Sequence, residues 1–135
     1  AVYAITYTSW NSEIVGTLLE ETTKELLKNG VDKKNILTKE VPGAFELPLG
    51  AQSLLEQQKF DGVLTIGTVI QGETKHFDFV CNGATQGIMQ VMLNYNTPIS
   101  FCVLTDNSIQ QSIELYRGVH EKGDFKNGVH YHQVQ

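Results

Sequence analysis

The residues best equipped for chemistry lie in one short stretch, Gln71-Gly72-Glu73-Thr74-Lys75-His76. The His76 side chain gains or loses a proton near neutral pH, so it can serve as a general acid or base. Thr74 brings a hydroxyl donor. Gly72 marks a tight turn, and the chain restarts as a helix near Phe77. The free N–H groups of a helix start and the positive end of its dipole attract an anion. Gly72, Glu73 and Thr74 therefore read as a phosphate cradle beside an acid/base histidine. Glycine turns between strand and helix are common in α/β proteins and most bind nothing, so support must come from elsewhere in the chain.

Two further residues supply it. Trp10 is the only tryptophan, and it sits with Asn11 in a polar loop. A tryptophan there can lid the edge of a core or offer a plate to a flat heterocycle. The loop follows the C-terminal end of a strand, where open α/β sheets bind ligands, and this favours the plate. Glu46 follows Pro42-Gly43-Ala44-Phe45 and stands at a helix start. Its carboxylate can simply complement the helix dipole, or it can accept from ligand hydroxyls.

These side chains need a scaffold. A first strand is expected over residues 2–7, then a helix capped by Asn11 or Ser12 that runs to about residue 29. Ile14, Val15, Leu18, Leu19, Leu26 and Leu27 form its apolar side. Gly30 is placed to end it in the left-handed conformation. A second strand covers 36–41, Pro42-Gly43 breaks it, and a helix follows over 47–58 with Pro48 in its first turn. Leu47, Leu49, Ala51, Leu54 and Leu55 supply the buried side of that helix. The third strand starts as the buried run Val63-Leu64-Thr65-Ile66, is interrupted at Gly67 and resumes as Thr68-Val69-Ile70. A helix from about residue 77 ends near 94–96, a fourth strand covers 99–104, and a last helix covers 109–116. Alternating strands and helices predict a single α/β domain over 1–135. Its architecture is a three-layer α/β/α sandwich around a four-stranded parallel sheet with flavodoxin-like topology.

Composition narrows the classes. The 135 residues carry a net charge of −5, so non-specific nucleic-acid binding is not expected. No apolar run approaches membrane-spanning length, and no secretory leader is read. Cys81 and Cys102 fall in apolar segments without metal-ligand spacing, which fits reduced core thiols and a cytoplasmic location. His130 and His132 are two apart but lack a third ligand, so no metal is expected.

Four segments together resemble the lumazine synthase family. They are Ser9-Trp10-Asn11, then Val41-Pro42-Gly43-Ala44-Phe45-Glu46-Leu47-Pro48, then Gly67-Thr68-Val69-Ile70-Gln71-Gly72-Glu73-Thr74-Lys75-His76-Phe77-Asp78, and Pro98-Ile99-Ser100-Phe101-Cys102-Val103-Leu104-Thr105. The likeness runs over roughly residues 2–114, and the second and third segments are long enough to be specific. It implies a transferase of riboflavin biosynthesis with no metal or organic cofactor. Such an enzyme condenses 5-amino-6-(D-ribitylamino)uracil with 3,4-dihydroxy-2-butanone 4-phosphate to 6,7-dimethyl-8-ribityllumazine. The resemblance further implies a homo-oligomer, a pentamer or a sixty-subunit icosahedral capsid, with active sites between neighbouring subunits. Riboflavin synthase is a further candidate partner.

By this resemblance Trp10, with Asn11 beside it, stacks on the pyrimidine. Ala44, Phe45 and Glu46 hold the ribityl chain, and Thr68, Val69 and Ile70 present backbone groups to the ring edge. Gly72, Glu73 and Thr74 bind phosphate, His76 moves protons, and Phe101 arrives from a neighbouring subunit. The likeness fails toward the C-terminus. Leu115 stands where the family usually carries a phosphate-binding arginine, and Arg117 follows two residues later. A family lysine falls at Gly123, with Lys122 and Lys126 nearby, and residues 128–135 replace an alanine-rich closing helix. Family members also have a further N-terminal stretch. An active synthase is the leading expectation; a lumazine or riboflavin carrier, or a capsid-forming assembly protein with impaired catalysis, stays open.

Overall fold

Strand β1 (Tyr3–Thr8) lies inside the sheet. Ala4, Ile5 and Thr6 have no solvent exposure, although successive side chains of a strand point to opposite faces. Both faces of β1 are therefore covered. The computed structural model describes residues 1–10, 12–70 and 76–106, with 70, 76, 77 and 103–106 described by their backbone alone. Helix α1 (Ser12–Lys28) follows β1, and a short 3-10 turn at Lys33–Asn35 leads into β2 (Ile36–Val41). A second 3-10 turn, Ala44–Glu46, runs directly into α2 (Leu47–Gln57). Then come β3 (Gly62–Ile70), α3 (His76–Tyr95) and β4 (Ile99–Asp106).

All pairings are parallel and the strand order is β2-β1-β3-β4. This is the flavodoxin-like order over the described strands, with its switch point between β1 and β3. Two apolar clusters sandwich the sheet. Ile5 and Ile66 meet Ile14, Val15 and Leu18 of α1 on one face. Ala4, Val63 and Val69 meet Leu47, Ala51 and Leu54 of α2 and Ile88 and Val91 of α3 on the other. The expected helix over 109–116 lies outside the described residues.

Local chemistry fixes the ends of these elements. Gly30 has φ +91°, and Val31 N–H donates to the Leu26 carbonyl at 3.1 Å, so α1 closes in a glycine-terminated cap. Pro48 occupies the first turn of α2, where its missing N–H breaks no helical bond.

Three expectations are corrected. Gly67 does not interrupt β3: the strand is continuous and Gly67 pairs with Val103. A β-carbon at Gly67 would come 3.0 Å from Thr8 Cγ2 and 3.4 Å from Leu47 Cδ1, so glycine there admits the start of α2 against the sheet. Leu49 is not on the buried side of α2; it is 65% exposed, because Leu47, Ala51, Leu54 and Leu55 already fill the arc that faces the sheet. Leu27, 40% exposed, likewise lies off the buried stripe of α1, which is Ile14, Val15, Leu18 and Thr22.

Candidate active site

The C-terminal ends of β1, β2 and β3 converge on one cavity. Its volume is about 360 Å³, and its lining is Trp10, Gly43, Ala44, Phe45, Glu46, Thr68, Val69 and Val80. The switch point puts it there, because the chain leaves β1 and β3 toward opposite faces and a crevice opens between the two exits.

The exit from β1 is tied to the exit from β2. Ser9 N–H donates to the Val41 carbonyl at 2.8 Å, and Ser9 Oγ donates to the Pro42 carbonyl at 3.4 Å. Thr8 Oγ1 donates to the Trp10 carbonyl at 3.4 Å. These bonds set Trp10 beside the Gly43–Glu46 turn. The indole stays 46% exposed and belongs to neither apolar cluster. It lines the cavity without being packed into the core.

The turn after β2 forms a second wall. Pro42 and an extended Gly43 stop the strand, and Glu46 N–H donates to the Gly43 carbonyl at 3.1 Å to close the 3-10 turn. A β-carbon at Gly43 would lie 3.4 Å from Glu46 Oε1, so the carboxylate leans back over this glycine. Ala44 is buried beneath the turn and Phe45 stands out from it, 58% exposed. Glu46 is the one charged residue of the described lining, in an otherwise uncharged and mostly apolar surround. Such a wall can accept hydrogen bonds from neutral hydroxyls while the indole covers an aromatic ring. The floor is the end of β3, where Thr68 and Val69 are nearly buried.

The sequence model of the 6,7-dimethyl-8-ribityllumazine synthase family matches residues 1–127. A protein of that name from Cytophaga hutchinsonii is 46% identical over 124 residues, which is 91% of this chain and 78% of the relative. The Flavobacterium johnsoniae protein of the same name is 47% identical over 118 residues, 87% of this chain and 62% of the relative. One from Bacteroides fragilis is 40% identical over 123 residues, 90% of this chain and 86% of the relative. The chain belongs to the lumazine synthase family.

Of the residues that the family resemblance singled out, Trp10, Ala44, Phe45, Glu46, Thr68 and Val69 lie together around the cavity. Ile70 ends β3 beside them in the chain, and His76 is the first residue of α3. Asn11, Gly72, Glu73, Thr74 and Arg117 lie outside the described residues, as does Leu115. Phe101 is not part of the lining. On β4 it pairs with Thr65 of β3, and it packs against the α2/α3 cluster. The lining residue Thr68 pairs with Leu104, three residues further on, or about 10 Å along the strand.

Two lining residues carried no role in the sequence reading. By sequence Gly43 reads only as a strand breaker, although its place inside the Val41–Pro48 segment is a signal. Val80 follows His76 by one helical turn, a spacing that places it at the same end of α3.

The cysteines play no visible part here. Burial pushes the Cys102 thiol up to about 12, and Cys102 is 2% exposed beneath α1. Cys81 is raised by burial first and by the Asp78 carboxylate second. Among the described residues no group of His, Cys, Asp and Glu could hold a metal ion, and no helix is long and apolar enough to cross a membrane.

Proposed function

We propose that this cavity binds the ring and ribityl chain of 5-amino-6-(D-ribitylamino)uracil. The chain condenses that amine with 3,4-dihydroxy-2-butanone 4-phosphate and releases 6,7-dimethyl-8-ribityllumazine, phosphate and water. The observation that carries the reading is the pairing of the Trp10 indole with the Ala44–Glu46 turn in one crevice at the switch point. An aromatic plate and a hydroxyl-accepting carboxylate match a heterocycle bearing a polyol.

In this mechanism Trp10 stacks on the pyrimidine with Asn11 beside it, and Glu46 accepts from ribityl hydroxyls. The backbone of Thr68, Val69 and Ile70 meets the ring edge. Gly72, Glu73 and Thr74 hold the phosphate, with Arg117 as the cation in place of the family arginine. His76 transfers protons during imine formation, loss of phosphate and ring closure. The ketone is already electrophilic, so much of the acceleration comes from holding both substrates in contact.

The same reading assigns residues 1–135 to one domain, places the protein in the cytoplasm and makes it a homo-oligomer, a pentamer or a sixty-subunit capsid. Phe101 then completes the site of a neighbouring subunit, and riboflavin synthase takes the product. The exposed Leu49, Phe79, Met89 and Leu93 on α2 and α3 support a covered face. Native mass spectrometry sizes the assembly. Incubation with both substrates tests the activity: lumazine absorbance must grow faster than in the uncatalysed mixture, and equal rates refute the proposal.

A further inference from the structure

Phe45 forms part of the cavity wall yet is 58% exposed, so the core does not hold its ring in place. What the ring does touch is helix α3. A β-carbon built on Gly83 would overlap Phe45 Cε1 and lie 2.9 Å from Cδ1, closer than atoms in contact can come. Gly83 thus leaves a shallow seat one turn beyond Val80, which also lines the cavity. Glycine inside a helix is unfavourable relative to alanine, so local helix stability does not account for it. One turn further, Gly87 does the same for Pro48: a β-carbon there would meet Pro48 Cγ and Cβ at 2.6 and 2.8 Å. The two cases differ in what can yield. Pro48 is a rigid ring in the first turn of α2, and its displacement moves the helix. The Phe45 ring is the far end of a side chain with room to swing.

We infer that Gly83 is a positioning residue for the cavity. It seats the edge of the Phe45 ring on α3 and so fixes the wall formed by Ala44, Phe45 and Glu46. The inference rests on the proposed use of this cavity for the ribityl heterocycle. Gly83→Ala lifts the ring off α3, displaces the wall, and leaves the helix itself better formed. Stability and binding then move in opposite directions, which a purely structural glycine would not produce.

The test is a double-mutant comparison on the full chain. The four proteins are wild type, Gly83→Ala, Phe45→Leu, and the Gly83→Ala/Phe45→Leu pair. Thermal unfolding and fluorescence titration with 6,7-dimethyl-8-ribityllumazine are measured for each. Gly83→Ala should raise Tm by about 3 °C. It should weaken lumazine binding roughly three- to tenfold, the range for one misplaced aromatic contact. In the Phe45→Leu background the same substitution should leave the dissociation constant unchanged. An unchanged dissociation constant in Gly83→Ala, or an equal loss in both backgrounds, overturns the assignment. If wild type binds no lumazine, the proposed function fails; the Gly83–Phe45 contact is then still decided by whether Phe45→Leu changes the Tm effect of Gly83→Ala.

Discussion

Replacing Trp10 by alanine separates a binding plate from a core lid. The indole keeps 46% of its surface in solvent and joins neither apolar cluster. Against a whole side chain on the order of 250 Å², about 115 Å² remains free to be covered. A heterocycle stacked on one face covers roughly half of that, which at about 25 cal/mol/Å² is about 1.5 kcal/mol. Trp10→Ala should therefore weaken binding of the pyrimidine substrate or the lumazine product by about tenfold. This lies within the roughly 1–3 kcal/mol found for aromatic–base stacking elsewhere. The assay is equilibrium fluorescence titration, paired with thermal unfolding of the same preparation. Tm should fall little, since neither cluster loses a member. An unchanged dissociation constant with a Tm lowered by many degrees would refute the reasoning: Trp10 would then be a lid over the β1 exit and nothing more.

Four other substitutions probe different links. His76→Ala should lower kcat on the order of 10²-fold while affinity for the uracil substrate stays nearly intact; equal turnover in steady-state assays removes His76 from the mechanism. Gly50→Ala should destabilise by about 1–3 kcal/mol in denaturant melts, because its β-carbon would overlap Thr6 Oγ1 and lie 2.9 Å from Val41 Cγ1. Thr6→Val should instead stabilise by about 1 kcal/mol, since the Thr6 hydroxyl is fully buried without a hydrogen-bond partner among the described residues. Burial holds the Cys102 thiol neutral, raised from 9.0 to about 12, so its contribution is complete below pH 9 and is lost as pH rises from there toward 12. Denaturant melts between pH 9 and 11 should show Cys102→Ala losing less stability than wild type, by on the order of 1 kcal/mol per pH unit; parallel losses contradict this.

The strands were legible because each is a short apolar run bounded by glycine, proline or a polar loop. β2 matches its expected limits, and α2 starts where Pro48 said it should. The switch-point cavity was legible through position alone, since Trp10 and Glu46 both follow strand ends. Gly67 was misread because a glycine in a strand pattern can mark a break or a close approach, and only Thr8 and Leu47 above it decide which. Leu49 was misread because helical spacing gives an apolar arc without saying how much of it the sheet covers. A glycine inside the α3 pattern already marks a close approach at Gly83, but its partner was not legible. The seat depends on a residue 38 positions earlier in the chain, carried by a turn whose packing on α3 no local pattern encodes.

That dependence bears on how the site is built. The indole is placed by backbone and hydroxyl bonds from Ser9 and Thr8, which join the exits of β1 and β2 at the level of the main chain. The second wall has two kinds of support: a main-chain bond from Glu46 to Gly43, and a side-chain seat on α3. Main-chain bonds between strand exits are insensitive to nearby side-chain changes, whereas a ring resting on a glycine shifts with a single methyl group. The Trp10 side should therefore tolerate substitution around it, and variation in which heterocycles the cavity accepts should map to the α3 surface beneath Phe45. Replacing Ser9 by alanine, which leaves its N–H bond to Val41 in place, should then change ligand affinity less than Gly83→Ala does. A larger effect at Ser9 would mean that the hydroxyl bond to Pro42, and not the main-chain bond, sets the plate.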